Sequence, residues 1–449
     1  MKNLIIGRWS MMLVFIFASF MASAQSIGRE SGGSPKEEKA DFKIPQVEMP
    51  GSAAKAELVP GSYIVILKPE KVKSFTEKNV QQKKQFESRD AQAKSFEEND
   101  RQMKAQINEI ASSMGYSGKQ LKNVYTGTLT GFTVQNLNKS TSEAFLKKAK
   151  ENPNVYAVGP DFYLTVGGED VEVITPEDGE ALDFAQAPSW GTNYTGWTDK
   201  SGSPYWAWVL DSGIDLNHPD LNVKTSRAKS TVGYTSSAED DNGHGSHVAG
   251  IIAAKNNSIG TRGVAAGAWV VPVKVCNSSG SCAWSDVLEG LQHVAKYKIA
   301  GDVVNLSLGG NAPSWWDRLW NTDPVKMEAQ IKSLAAAGVH MVFAAGNSNK
   351  QVSGVTPARI NGTRCYTVSA MDWNYNIASF SNYGSGVDWA APGVSIRSCY
   401  KNGGYAYMNG TSMAAPYVAG ILLANRGTIN WSRRLNTDKD GSKDKVAKK

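Results

Sequence analysis

The sequence predicts an α/β fold, a mostly parallel sheet between helices, with a small α+β domain ahead of it. Three observations lead there. Beyond residue 188, apolar runs rich in β-branched residues (270–275, 303–306, 339–343) alternate with helical stretches (285–299, 325–337), the pattern of strands buried on both faces. Between 61 and 166 the elements read strand, helix, strand, helix, strand. The chain has 449 residues, more than one compact core ordinarily holds.

From the N-terminus, residues 1–24 carry Lys2 and Arg8, an apolar run 11–21 and the triplet Ala22-Ser23-Ala24, the layout of a secretory signal peptide. Neither that run nor any later stretch reaches the roughly 18 apolar residues of a membrane span. An exported chain with no membrane span is therefore expected, and cleavage after Ala24 leaves Gln25, with no cysteine to carry a lipid. Residues 25–60 mix Ser, Gly, Lys, Glu and Pro without an apolar period and read as a flexible leader. In the domain 61–166, the run 63–67 (Tyr-Ile-Val-Ile-Leu) is a strand closed by Pro69, and the charged stretch 70–120 is helical. Segments 131–134 and 155–158 are strands, with a helix around Phe145 and Leu146 between them. Residues 167–187 form an acidic connector. Residues 188–430 hold all five histidines and all four cysteines, so the chemistry belongs there, and 431–449 form a polar tail.

The formal charge of +6 is spread along the chain and interleaved with acids, a pattern that does not suggest nucleic-acid binding. Cys276, Cys282, Cys365 and Cys399 form an even set in a chain expected to leave the cytoplasm. The turn-forming stretch 277–281 favours pairing Cys276 with Cys282, which leaves Cys365 with Cys399; the alternative is one bridge and two buried thiols. No histidine stands at ligand spacing beside them, and no metal site is assigned.

Functional groups of open α/β sheets collect at the carboxyl ends of strands. The apolar run 206–210 delivers Asp211 into Ser212-Gly213. His244 stands between Gly243 and Gly245 at the mouth of an apolar helix, 248–254, and Ser412 stands where Gly410-Thr411 enters another. Singly these are a turn residue, a loop histidine and a helix cap. Together they match the needs of a serine nucleophile: an imidazole to take its proton and a carboxylate to orient that imidazole. In Ala344-Ala345-Gly346-Asn347, directly after the strand 339–343, Asn347 supplies an amide that can join the Ser412 backbone N–H in holding an oxyanion.

Val209-Leu210-Asp211-Ser212-Gly213-Ile214-Asp215, Gly243-His244-Gly245-Ser246-His247-Val248-Ala249-Gly250 and Gly410-Thr411-Ser412-Met413-Ala414-Ala415-Pro416 resemble the three signature motifs of the subtilase family, in the family's order. The likeness spans 188–425, and Asn305-Leu306-Ser307-Leu308-Gly309-Gly310 adds a fourth motif. Segments 186–191 and 379–384 are similar to the proteinase K branch. The resemblance implies a self-processing serine endopeptidase acting on polypeptides. Ser307, Leu308 and Gly309 would form one wall of its cleft, Ala345, Gly346 and Asn347 the other, and Val355 would shape the pocket for the residue before the cut. Apolar or aromatic residues are the expected preference there. Residues 61–166 are similar to the family's inhibitor-type propeptide, which implies a chaperone that blocks the cleft until cut away within 165–187. A secreted monomer that requires no cofactor is expected; structural calcium is compatible with this, without residues assigned. The alternative reading, a catalytically silent binding module on the same fold, predicts loss of one of Asp211, His244, Ser412 or Asn347, and none is lost. His218 and His247 read as structural. Asn361 and Asn409 sit in glycosylation patterns, the tail 436–441 reads as a solvated turn, and Trp315, Trp316 and Trp320 as a substrate lip or a hydrophobic cover.

Overall fold

The structure, a computed structural model, describes residues 56–68, 71–72, 88–167, 169–174, 185–311 and 324–449. The expected signal peptide 1–24, nearly all of the leader, the start of the charged stretch, the middle of the connector and the Trp-rich stretch 314–320 lie outside the described residues.

The N-terminal module begins with β1 (Leu58–Leu67) and continues through α1 (Arg89–Ser113), β2 (Leu121–Thr126), β3 (Thr130–Val134), α2 (Lys139–Glu151), β4 (Val155–Val166) and β5 (Glu169–Val173). Strands β2, β3, β1 and β4 lie side by side in that order, all antiparallel. The uninterrupted apolar run in β1 follows from burial of both its faces. Val65 and Leu67 pack with Phe132, Val134, Phe145, Met103 and Ile107 under the module's own helices. Ile64 and Ile66 point the other way and join Phe162 and Leu164 against Trp284, Val287, Leu288 and Leu291 of the following region. The sequence pattern does not reveal β2, whose residues Leu121-Lys122-Asn123-Val124-Tyr125-Thr126 show no strict alternation.

The second region is built on a parallel sheet. Its strands are β6 (Trp206–Asp211), β7 (Trp269–Lys274), β9 (Val303–Leu306), β11 (His340–Ala344), β12 (Cys365–Met371), β13 (Trp389–Pro392) and β17 (Lys445–Lys448). In space the order runs β17-β13-β12-β11-β9-β6-β7, every neighbour parallel. Side chains alternate across β6. Ala207 and Val209 face a core shared with α3 (His244–Ala253) and α6 (Thr411–Ala424); Trp206, Trp208 and Leu210 face one shared with α4 (Trp284–Tyr297) and α5 (Pro324–Ala336). Smaller strands complete the region: β8 (Ser281–Ala283), β10 (Leu308–Gly309), the antiparallel pair β14 (Ile396–Cys399) and β15 (Tyr405–Asn409), and β16 (Asn430–Arg434). The C-terminal segment is more than a polar tail, because β16 and β17 form a hairpin whose Val446 and Ala447 are fully buried at the sheet edge.

The same division of cores corrects one expectation. Cys276 and Cys282 are bridged across the predicted turn, with an S–S distance of 2.08 Å. Cys365 and Cys399 are separate, buried thiols. Cys365 belongs to the core on the α4 face and Cys399 to the core on the α3 face, so the sheet lies between them.

Candidate active site

Asp211 ends β6 and is fully buried, with Oδ1 accepting from Ser212 N at 2.7 Å and paired with His244 Nδ1 at 2.7 Å. His244 is the first residue of α3, whose ten residues are all buried. The helix start is fixed by Asp240, a residue that no sequence motif singles out. Its Oδ1 accepts from Gly243 N (2.8 Å), Asn242 N (3.1 Å) and Ser212 Oγ (2.8 Å); its Oδ2 accepts from Ser246 N (2.8 Å) and Ser246 Oγ (2.7 Å). One buried carboxylate thus takes the Ser246 N–H of the first turn and the two N–H groups just ahead of the helix, and ties the helix to the residue after Asp211, while His244 N and Gly245 N donate to Asn242 Oδ1 and Ser212 Oγ. Gly245 is required for the approach: a methyl there would lie 1.9 Å from Gly213 O.

Ser412 lies in the first turn of α6, fully buried along its length. Its Oγ donates to Ser307 O at 3.1 Å, while Ser307 Oγ donates to Ser412 O at 2.8 Å and receives Asn305 Nδ2 at 2.9 Å. Asn347 Oδ1 accepts from Thr411 N (2.9 Å) and Thr411 Oγ1 (2.8 Å), which turns its Nδ2 into the cleft. The loop before Asn347 is held in turn: Gly346 N donates to Thr411 Oγ1 at 2.9 Å, and Ala345 O accepts from Asn382 Nδ2 at 2.8 Å.

The cleft is filled by the chain's own backbone. Residues 163–165 pair antiparallel with β8 on one side, and Thr165 and Val166 pair with Gly309 and Leu308 of β10 on the other. Gly167 O then lies 3.0 Å from His244 Nε2. A methyl on Gly167 would meet Asn347 Nδ2 at 2.7 Å and Ser412 Oγ at 3.1 Å, so the backbone passes close between them. Beyond this point β5 pairs antiparallel with β15, Glu169 opposite Asn409 and Val173 opposite Ala406. The sequence predicts an exposed connector over 167–187; Gly167 instead lies in the cleft, while β5 lies along β15 with Val171 and Val173 exposed. Val355 is buried and closes the pocket floor. Methyls on Gly309 and Gly346 would stand 3.5 and 3.6 Å from its Cγ1.

Electrostatically, burial pushes the His244 imidazole down, but the Asp211 charge and hydrogen bond, with the Gly167 carbonyl, reverse this and leave its pKa above the ordinary value. His247 takes no part. Its Nε2 faces Ile396 O and Ala406 O at 2.9 and 3.1 Å, and burial, with His244 nearby, pushes it down to about 3. His218 is likewise structural, with Nε2 at 3.0 Å from Gly404 O. Among the described residues no group of three or more His, Cys, Asp or Glu side chains is arranged to hold a metal, and no helix is long and apolar enough to cross a membrane.

Several known proteins are similar to this chain. M-protease of Shouchella clausii (strain KSM-K16) is 41% identical over 265 residues, 57% of this chain and 64% of that protein. Subtilisin Savinase of Lederbergia lenta is 44% identical over 225 residues, 50% of this chain and 77% of that protein. Alkaline elastase YaB of Bacillus sp. (strain YaB) is 42% identical over 225 residues, 50% of this chain and 55% of that protein. The chain therefore spans just under two thirds of the length of the first of these relatives. The family model described as the subtilase family matches residues 208–435, which include Asp211, His244, Asn347 and Ser412, and the chain belongs to that family.

Proposed function

We propose that this chain is the exported precursor of a serine endopeptidase that makes its first cut in itself, between Gly167 and Gly168. The observation that carries this is Gly167 itself, which passes beside Ser412 Oγ and Asn347 Nδ2 with its carbonyl oxygen 3.0 Å from His244 Nε2, in a stretch strand-paired before and after it as a bound peptide would be.

In the reaction, Ser412 Oγ attacks the carbonyl carbon while its proton passes to His244 Nε2; Asp211 holds the ring in the tautomer with hydrogen on Nδ1. Negative charge gathers on the former carbonyl oxygen, where Asn347 Nδ2 and the Ser412 backbone N–H at the start of α6 oppose it. The C–N bond breaks, His244 returns the proton to the leaving amine, and an ester on Ser412 remains. Water, deprotonated by the same imidazole, then releases the acid and restores the serine. After the cut, the segment ending at Gly167 remains as an inhibitor bound through β4.

Glycine at the cut and Val355 across the pocket favour small residues before the scissile bond, in contrast to the apolar or aromatic preference expected from sequence. The test is Ser412→Ala expressed as the full chain. An uncut precursor with wild-type thermal stability is expected; a product whose N-terminus begins at residue 168, made without any other protease, would overturn the assignment.

A further inference from the structure

The family match stops at residue 435, and residues 436–449 have no role in the hydrolytic mechanism. The sequence predicts a solvated turn for 436–441, yet Lys439 is half-buried with its ammonium in a cage of four oxygens. Asn349 Oδ1 lies at 2.7 Å, Ser379 O at 2.7 Å, Ser381 O at 3.0 Å and Ala378 O at 3.1 Å. Three are neutral backbone carbonyls and one is a neutral amide, donors that suit a monovalent cation. The tail reaches this spot because it is pinned on both sides. Leu435 is buried, Asn436 N donates to Tyr375 O at 2.7 Å, and Asp444 accepts from Ser369 Oγ at 2.8 Å.

The caged carbonyls belong to a turn that leads directly to the catalytic wall. Asn382, next after Ser381 and fully buried, donates from its backbone N to Gly346 O (2.8 Å) and from Nδ2 to Ala345 O (2.8 Å). Its Oδ1 accepts from Ser348 N (3.1 Å) and Lys350 N (2.9 Å). One side chain therefore clasps the backbone on either side of Asn347. The fourth cage oxygen belongs to Asn349, whose N donates to Phe380 O at 2.9 Å. The ammonium thus crosslinks the 378–382 turn to the loop of the oxyanion donor.

We propose that Lys439 is a positioning residue for the cleft, a built-in cation whose site, once vacated, binds a free monovalent cation such as ammonium or potassium. The route to activity rests on the reading of Asn347 as oxyanion donor; the cage itself does not. The four oxygens repel one another when nothing positive lies among them, so loss of the ammonium loosens the turn, and with it the aim of Asn347 Nδ2.

The experiment uses matured enzyme from the full chain carrying Lys439→Met, which keeps the aliphatic stem. With a soluble peptide substrate, kcat is expected to fall about tenfold with KM little changed, since a donor is misaimed and not lost. Ammonium or potassium chloride should restore most of kcat and raise the melting temperature of the variant, while choline chloride at equal ionic strength should do neither. In an Asn347→Ala background, Lys439→Met should have little further effect on kcat, because both act at one point. If Asn347→Ala leaves kcat intact, the oxyanion reading fails while the cation-dependent melting still tests the cage. Should Lys439→Met not accumulate, its recovery in ammonium but not choline medium is the supporting result, and no recovery in either overturns the proposal. Unchanged kcat, or a loss indifferent to the cation supplied, overturns it as well.

Discussion

Ser412 Oγ donates to Ser307 O, while His244 faces an acceptor at each ring nitrogen, the Asp211 carboxylate and the Gly167 carbonyl. Both nitrogens can donate together only in the imidazolium, which is no base. The filled cleft thus favours the resting ring, and clearing it removes one of the contacts that raise the His244 pKa. Self-cleavage should therefore have its acid limb at higher pH than peptide hydrolysis by the matured enzyme. Rates of precursor cutting and of peptide turnover, measured over the same pH series, check this; coincident limbs would remove the Gly167 contact from the titration. Asn347→Ala should lower kcat by about two to three orders of magnitude with KM nearly unchanged, read from steady-state kinetics. At Val355 the effect is steric. Val355→Gly should open the pocket and raise kcat/KM for a phenylalanine before the cut, relative to alanine, by about tenfold or more in paired peptide assays.

Elements explain which parts of this are legible in the sequence. Asp211, His244 and Ser412 each sit where a strand or loop meets an apolar segment, so local pattern marks each as a candidate and their combination marks the set, and Asn347 follows a strand whose burial is written in its side chains. Gly167 and Asp240 show no such mark. The first matters because a distant segment threads the cleft, the second because it accepts from backbone N–H groups that any residue carries. Lys439 is illegible for the same reason, its partners being mostly carbonyls 58 to 61 residues away. The separate thiols Cys365 and Cys399 mislead because an even count says nothing about which face of a sheet each occupies. Helix α1 is legible as a helix but not as an anchor. Its first residue, Arg89, meets buried Asp302 at 2.6 and 2.7 Å and stacks 3.6 Å over the Trp206 ring, while Gln92 Nε2 donates to Lys298 O at 2.8 Å beyond the end of α4. Asp302 keeps three other donors, Trp206 N, Trp208 Nε1 and Ile299 N, so the second region tolerates loss of the arginine. Arg89→Ala should weaken the hold of the fragment ending at Gly167 by about 2–5 kcal/mol. Faster release of that fragment after the first cut, followed by gel filtration, is the expected result.

At the scale of the whole molecule, the proposed cut would not by itself free the cleft, because β4 pairs with β8 and β10, and the face of the module carrying Ile64, Ile66, Phe162 and Leu164 lies on α4. Release therefore depends on what that contact costs to assemble, and its polar centre is a group of carboxyls. Asp286 on α4 is 4% exposed and meets Lys122 of β2 at 2.8 Å, with Asp161 of β4 and Glu289 of α4 near it. Burial raises the Asp286 pKa, Lys122 opposes, and Asp161 and Glu289 add to the rise, leaving it at about 7 against an ordinary 3.8. Burial raises Asp161 as well. The assembled state thus holds protons that the separated parts have lost between the ordinary carboxyl range and about 7. Raising pH across that window disfavours assembly; above about 7 both states are ionised and the effect levels off. The nicked complex should then shed the fragment ending at Gly167 more slowly at about pH 5 than at about pH 8, and Asp286→Asn, which cannot ionise, should flatten the difference. Fragment separation on gel filtration at the two pH values reads this without relying on catalysis. Equal release rates in the wild-type complex would mean that Lys122 neutralises the cluster in full and that the contact is held by its apolar face alone.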